Sequence, residues 1–319
     1  MFLKATADTS EHALSYYAAS ANWQTDYPQL EDNLDVEIVI VGAGFSGVST
    51  AVELCERGYK VALIEANRIS WGASGRNGGQ IIGGFGHNPS AFRMNIGDKG
   101  VDTVEKMSSE CVDIVKERIE KYNIDCDLKW GYCEVALKKR HLKDYRQWAE
   151  EEPAIKLLDR QQMKDYVNSD IYLGGYYRED WGHIQPLNLC IGEARAAEQM
   201  GAQIFEQSRV IDIQYTDRPV VKTEKGQITA DKVILCGNAY MGDLVPRLDD
   251  RVLPSTSVII ATEPLSKEQV AQCMVKDVAV CDSRTALDYY RLSADKRLLF
   301  GGLSNLSLIH ISEPTRLGM

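Results

Sequence analysis

The stretch from Asp35 to Gln80 constrains the chain most: DVEIVIVGAGFSGVSTAVELCERGYKVALIEANRISWGASGRNGGQ. Residues 36–41 form a short apolar, mostly β-branched run, which suits a strand buried on both faces. Gly42-Ala43-Gly44-Phe45-Ser46-Gly47 follows at once and opens a predicted helix that runs to Arg57. Gly58 suits the end of that helix, and a second predicted strand, 60–64, ends at Glu65. Gly42 permits the tight turn, Gly44 lets backbone approach a pyrophosphate, and Gly47 brings the helix close to the strand. The helix N-terminus presents unpaired N–H groups to phosphate. Glu65, 23 residues after Gly42, stands where an acid accepts hydrogen bonds from ribose hydroxyls. The alternative is a βαβ unit whose glycines only make a turn. The strand before the loop, the helix after it and the acid-tipped second strand favour a dinucleotide site.

Trp71-Gly72-Ala73-Ser74-Gly75-Arg76-Asn77-Gly78-Gly79-Gln80 is dense in glycine and small polar residues. Such a segment can wrap an extended ligand with backbone N–H groups and place Arg76 near phosphate. With these residues the stretch resembles the FAD-binding start of the D-amino-acid oxidase-like flavoproteins. ASGRNGGQ, together with Ser15-Tyr16-Tyr17-Ala18-Ala19-Ser20-Ala21 upstream, resembles the gamma-glutamylputrescine oxidoreductases. The resemblance spans Ser15 to about Asn305. It implies FAD as cofactor, held by Gly42, Gly44, Phe45, Ser46, Gly47, Glu65, Ala66 and Ser74 through Gln80 (Ser74, Gly75, Arg76, Asn77, Gly78, Gly79, Gln80). It also implies a backbone contact from Val210 to the adenine, and a turn at Gly237 over the phosphates. Cys236 and Asn238 depart there from the small residues usual in relatives.

The chain of 319 residues is long enough for two domains with sizeable cores. Its formal net charge of −10 disfavours nucleic acid or an anionic membrane as partner. No window approaches 18 consecutive apolar residues, and the N-terminus lacks the apolar core of a signal peptide. The eight cysteines form no CxxC pair and no metal spacing with the histidines. Free thiols in a reducing cytoplasm are therefore expected, with no metal site.

Further along, a helix is expected over 98–122, with Val101, Val104, Met107, Cys111, Ile114, Val115 and Ile119 on one side. A strand over 128–138, helices over 141–151 and 157–167, and a strand over 171–177 follow. Pro186 fits the first turn of a helix ending before Gly201. Short strands are expected at 203–206, 209–214, 220–223, 227–229 and 231–236, then at 258–263 and 288–292, with a last one ending at Gly302. His183 is the one weak candidate for a catalytic base or substrate contact. A hydrogen-bonded structural histidine is its default reading, since no partner is identifiable.

The resemblance implies an α/β fold: a Rossmann-like FAD-binding domain from 30–85 and 185–245, and an inserted α+β substrate domain from 86–184 and 246–305 built on an antiparallel sheet. Residues 1–29 form an N-terminal extension. Leu306 to Met319 (LSLIHISEPTRLGM) has no counterpart in the family, resembles translated adapter sequence, and is set aside. Family members continue past this point toward the flavin, so impaired flavin retention is expected of this chain.

The implied activity is oxidation of a primary amine, foremost gamma-glutamylputrescine in putrescine catabolism. Hydride leaves the α-carbon, the imine hydrolyses to aldehyde and ammonia, and oxygen returns as hydrogen peroxide. Oxidation of glycine, sarcosine or a D-amino acid is the alternative; it needs a carboxylate clamp, for which Arg284 and Arg291 are available. An inactive nucleotide-binding fragment is a third reading. Catalytic residues, electron acceptor and oligomeric state are left open.

Overall fold

A computed structural model describes residues 10–86, 89–241, 244–251, 257–284 and 287–302. The stretch 306–319 that the sequence reading sets aside lies outside them. The chain divides into two compact units. One comprises Met1–Asn77, Tyr122–Cys126 and Pro186–Pro254; the other comprises Gly78–Lys121, Asp127–Gln185 and Ser255–Met319. In chain order the described strands are β1 (Asn33–Val41), β2 (Val61–Ile64), β3 (Gln80–Ile81), β4 (Lys129–Val135), β5 (Lys156–Asp159), β6 (Gly174–His183), β7 (Gln203–Phe205), β8 (Asp212–Gln214), β9 (Val220–Lys222), β10 (Gln227–Leu235), β11 (Val258–Ala261), β12 (Ala279–Asp282), β13 (Asp288–Leu292) and β14 (Leu298–Gly302).

The first unit holds a six-stranded sheet in the order β7-β2-β1-β10-β9-β8. Its β7-β2-β1-β10 half is parallel; β9 and β8 join antiparallel. All four residues of β2 are buried, as the continuous apolar run requires. Val36, Val39, Val41, Ala62, Ile64, Ile228 and Ala230 form one core. The helix Phe45–Glu56 buries Gly47, Val48, Ala51 and Val52 and packs beside the helix Pro186–Gln199. The break expected near Ala230 is absent. Residues expected as two strands on either side of Ala230 form one strand, in which Asp231 and Lys232 are exposed and which pairs with β1 from Asn33↔Gln227 to Val41↔Leu235.

The second unit holds an eight-stranded sheet in the order β11-β14-β13-β12-β4-β6-β3, with β5 on β6. It is antiparallel except for the β12–β4 pair. Here tertiary pairing overrides local pattern in three places. Residues expected as a helix from 157 are instead β5, paired with β6, then a single helical turn, Arg160–Met163, behind an Asp159 capping box. β6 does not stop at Tyr177; it runs to His183 because β4, β5 and β3 all pair with it. β12 and the helix Lys267–Cys273 were not expected at all; Ala-Val-Cys-Asp is too short to show a period. In the helix Arg93–Lys121, which turns at Gly97 (φ 68°), Val101 and Ile119 are buried while Met107 and Ile114 of the expected apolar stripe are exposed. No described helix is long and apolar enough to cross a membrane.

Division of the chain differs in detail from the expected boundaries. Gly78–Phe85 pack with the second unit rather than the dinucleotide-binding one, and Tyr122–Cys126 pack with the first.

Candidate dinucleotide site

The glycine turn is fixed by close backbone contacts. Gly42 has φ +103°, and a Cβ there would lie 2.7 Å from the Cys236 carbonyl oxygen. Its N–H donates to the Ile64 carbonyl at 2.8 Å, while the Cys236 N–H donates to Val41 at 2.7 Å. The turn is therefore stitched to both neighbouring strands. A Cβ at Gly47 would sit 1.8 Å from the Gly42 carbonyl oxygen, so the first helical turn closes against the loop itself.

Gly44 answers to a side chain. A Cβ there would come within 2.7 Å of Ser74 Oγ, which accepts the Phe45 N–H at 2.9 Å. One helix-terminal donor expected to face phosphate is thus capped from within the protein. The Ser74 hydroxyl retains its own proton to donate, so phosphate-facing donation passes in part from backbone to side chain.

Glu65 closes the turn from the other end. Its Oε2 accepts the Ala43 N–H at 2.8 Å and its Oε1 accepts the Asn67 N–H at 3.0 Å. Burial pushes its carboxyl pKa up, opposed by the N–H groups of Ala43, Asn67 and Ala66. A carboxylate has about four acceptor positions, so these backbone donors leave capacity for a ribose hydroxyl.

These groups open on a cavity of about 450 Å³. Of the residues expected to hold the cofactor, Gly42, Gly44, Glu65, Ala66, Ser74, Val210 and Gly237 line it. Phe45, Ser46, Gly47, Gly75, Arg76 and Asn77 belong to the same unit but are not in its wall. Arg76, expected near phosphate, is engaged with an aromatic ring. Its guanidinium stacks 4.5 Å over the Trp71 ring, and burial lowers its pKa. The wall includes residues the sequence reading did not assign: Asn67, Trp71, Arg209, Tyr240, Met241 and Leu244 among them. Trp71 and Tyr240 meet edge to face at 5.7 Å. Trp71 stood in the glycine-dense stretch and Tyr240 three residues after Gly237, so a search for aromatics flanking the two turns would have found both. Acid, glycine turn, hydroxyl donor and apolar wall together fit the ADP half of a dinucleotide.

Gly78, Gly79 and Gln80 belong to the second unit, and their closeness serves packing there. The Gly78 carbonyl accepts from Arg291 Nε at 2.7 Å, and the Gly79 carbonyl accepts from the Ile184 N–H at 2.8 Å. A Cβ at Gly78 would lie 2.6 Å from the Tyr289 ring; one at Gly79 would lie 2.8 Å from Arg291 Nη2. His183 sits in β6, 2% exposed. No hydrogen bond of good geometry reaches its ring nitrogens among the described residues, but a carboxylate stands beside one of them. Nε2 lies 3.5 Å from Asp277 Oδ1, and Asp277 is also bound by Lys296 at 2.7 Å. Burial lowers the His183 pKa, so the ring is held neutral.

The family model for FAD dependent oxidoreductases (DAO) matches residues 37–314. Gamma-glutamylputrescine oxidoreductase of Escherichia coli is 40% identical over 299 residues, which cover 92% of this chain and 70% of that protein. A probable oxidoreductase, OrdL, of Haemophilus influenzae is 41% identical over 307 residues, covering 92% and 71%. Among solved structures, glycine oxidase from Bacillus cereus superposes with a TM-score of 0.66 at 20% identity, covering 84% of this chain and 70% of that one, which supports the fold. The chain belongs to the DAO family of FAD-dependent oxidoreductases, and FAD is its cofactor.

Proposed function

We propose that this protein oxidises a primary amine, and that gamma-glutamylputrescine is its substrate. The observation that carries the reading is the match, over nine-tenths of this chain, to the E. coli enzyme of that name. Bound flavin supplies the two-electron acceptor, so the protein's task is to hold, orient and desolvate. Gly42, Gly44, Ser74 and the turn at Gly237 would hold the pyrophosphate, Glu65 the ribose, and the Val210 backbone the adenine.

Two features support an amine over an α-amino acid. Arg284 is committed to Asp282 and Asp288, and Arg291 to the Gly78 carbonyl. Neither arginine that could clamp a substrate carboxylate stands uncommitted.

Flavin absorbance of the purified protein, followed by anaerobic addition of candidate substrates, tests this. Bleaching near 450 nm by gamma-glutamylputrescine, and not by glycine, sarcosine or D-alanine, is the expected result. Bleaching by the amino acids alone would overturn the substrate. Bound flavin that no amine reduces would leave a nucleotide-binding protein instead.

A further inference from the structure

A second cavity, of about 280 Å³, lies in the first unit and shares no lining residue with the dinucleotide cavity. Its floor is apolar: Ile124 and Ile191 are buried at 8% and 4% exposure, and Ala196 at 3%. A buried amide stands in its wall, Asn188 at 4% exposure, whose Oδ1 accepts the Asn22 N–H at 2.9 Å.

Two charges of opposite sign complete the lining, Arg195 and Asp125. The Arg195 guanidinium lies 4.9 Å over the Trp23 ring. Stacking engages the face of the guanidinium and leaves its edge of N–H donors available to a carboxylate. Asp125 offers its backbone carbonyl to Asn22 Nδ2 at 2.7 Å. Among the described residues neither Arg195 nor Asp125 is in an ion pair. A solvent-exposed cation and a solvent-exposed anion thus border one apolar-floored cavity, an arrangement that a ligand carrying both charges would satisfy. A simple anion would meet Asp125, and a simple cation would meet Arg195.

We propose that this cavity binds a free α-amino acid with an apolar side chain. Arg195 takes the carboxylate, Asp125 takes the ammonium, and Ile124, Ile191 and Ala196 receive the side chain. The helix that carries Ile191, Arg195 and Ala196 also carries Cys190, whose Sγ lies 3.8 Å from the Ala43 carbonyl of the glycine turn.

L-Phenylalanine is the probe. It is titrated calorimetrically into the full chain with FAD present, alongside phenylacetate and phenethylamine, which each lack one charge. One site is expected for L-phenylalanine. At least tenfold weaker binding is expected for both analogues and for the variants Arg195→Gln and Asp125→Asn, with no change in the flavin spectrum. Both residues are exposed, so the variants should fold; circular dichroism checks this. Absence of binding to the unmodified chain would overturn the proposal. So would wild-type affinity in both variants, or a flavin perturbation that places the amino acid at the cofactor instead.

Discussion

Gly44 and Ser74 show how one missing atom organises the nucleotide site. The absence of a Cβ at Gly44 leaves room for the Ser74 hydroxyl, and that hydroxyl caps the Phe45 N–H. Ser74→Ala should cost about 1 kcal/mol, the usual worth of a helix cap. Gly44→Ala must displace the same hydroxyl. In the Ser74→Ala background its cost should therefore fall by more than half, a coupling that urea unfolding of the four-member cycle would measure. Additive effects would show that Gly44 is required for another reason. Gly42→Ala has no such remedy. Its obstacle is the Cys236 backbone at 2.7 Å, and φ is +103°. It should lower stability by about 1–3 kcal/mol or more and strip flavin, read as lost absorbance per protein.

At the scale of elements, the N-terminal segment is pinned to the first unit by a buried carboxylate. Glu206 is 0% exposed and accepts from the Thr25 hydroxyl, the Tyr27 N–H at 3.2 Å, the Ile69 N–H at 2.6 Å and Arg68 at 3.0 Å. Ser208 adds an acceptor for the Leu30 N–H at 2.9 Å. Two residues after β7 therefore tie residues 25–30 to the loop beyond Glu65. Glu206→Ala leaves Arg68 without its buried partner and several N–H groups without acceptors. A loss of about 3–5 kcal/mol is expected, with new proteolytic cleavage before Leu30. Unchanged protease resistance would show that the aromatic contacts of Tyr17 and Tyr27 suffice. The same scale explains the misread elements. β5 and the distal half of β6 are strands because β6 has partners on both edges, a property of the assembled sheet and not of residues 156–183.

For the molecule as a whole, pH dependence follows from buried titratable groups. Burial depresses the His183 pKa below its unfolded value of 6.5, aided by the charges of Arg291 and Lys129 and opposed by Asp277. A base with a lowered folded pKa is protonated more readily unfolded, so this contribution is complete above pH 6.5 and is lost as pH falls below it. Asp277 is held at about 2 against desolvation by His183 and Lys296. Its contribution is complete above 3.8 and is lost between 3.8 and about 2. Glu65 and Glu134, raised by burial, act with the opposite sign, adding stability as pH falls toward 4.5. Urea midpoints of the wild type and His183→Gln, compared from pH 7.5 to 5, isolate the histidine. The wild type should lose more stability than the variant across that range. Parallel curves would mean that the ring is not held neutral.

The strand, glycine turn, helix, second strand and terminal acid were legible because each step is a local rule acting on neighbouring residues. Gly42, Gly47 and Glu65 do what such rules require: permit a turn, admit a close contact, and accept backbone N–H groups. Ser74-to-Gln80 was legible as glycine-dense but not in its division. Ser74 faces the cavity, Arg76 turns onto Trp71, and Gly78 and Gly79 pack against Arg291 and Tyr289. Those partners lie as far as 213 positions along the chain. No periodicity or spacing encodes a contact at that range. Sequence alone determined that a dinucleotide turn would form, because backbone conformation is a local property. Only the tertiary structure decided which side chains line the nucleotide cavity and that Arg195 and Asp125 border a second one, because side-chain partners are set by sheet and helix packing between distant segments.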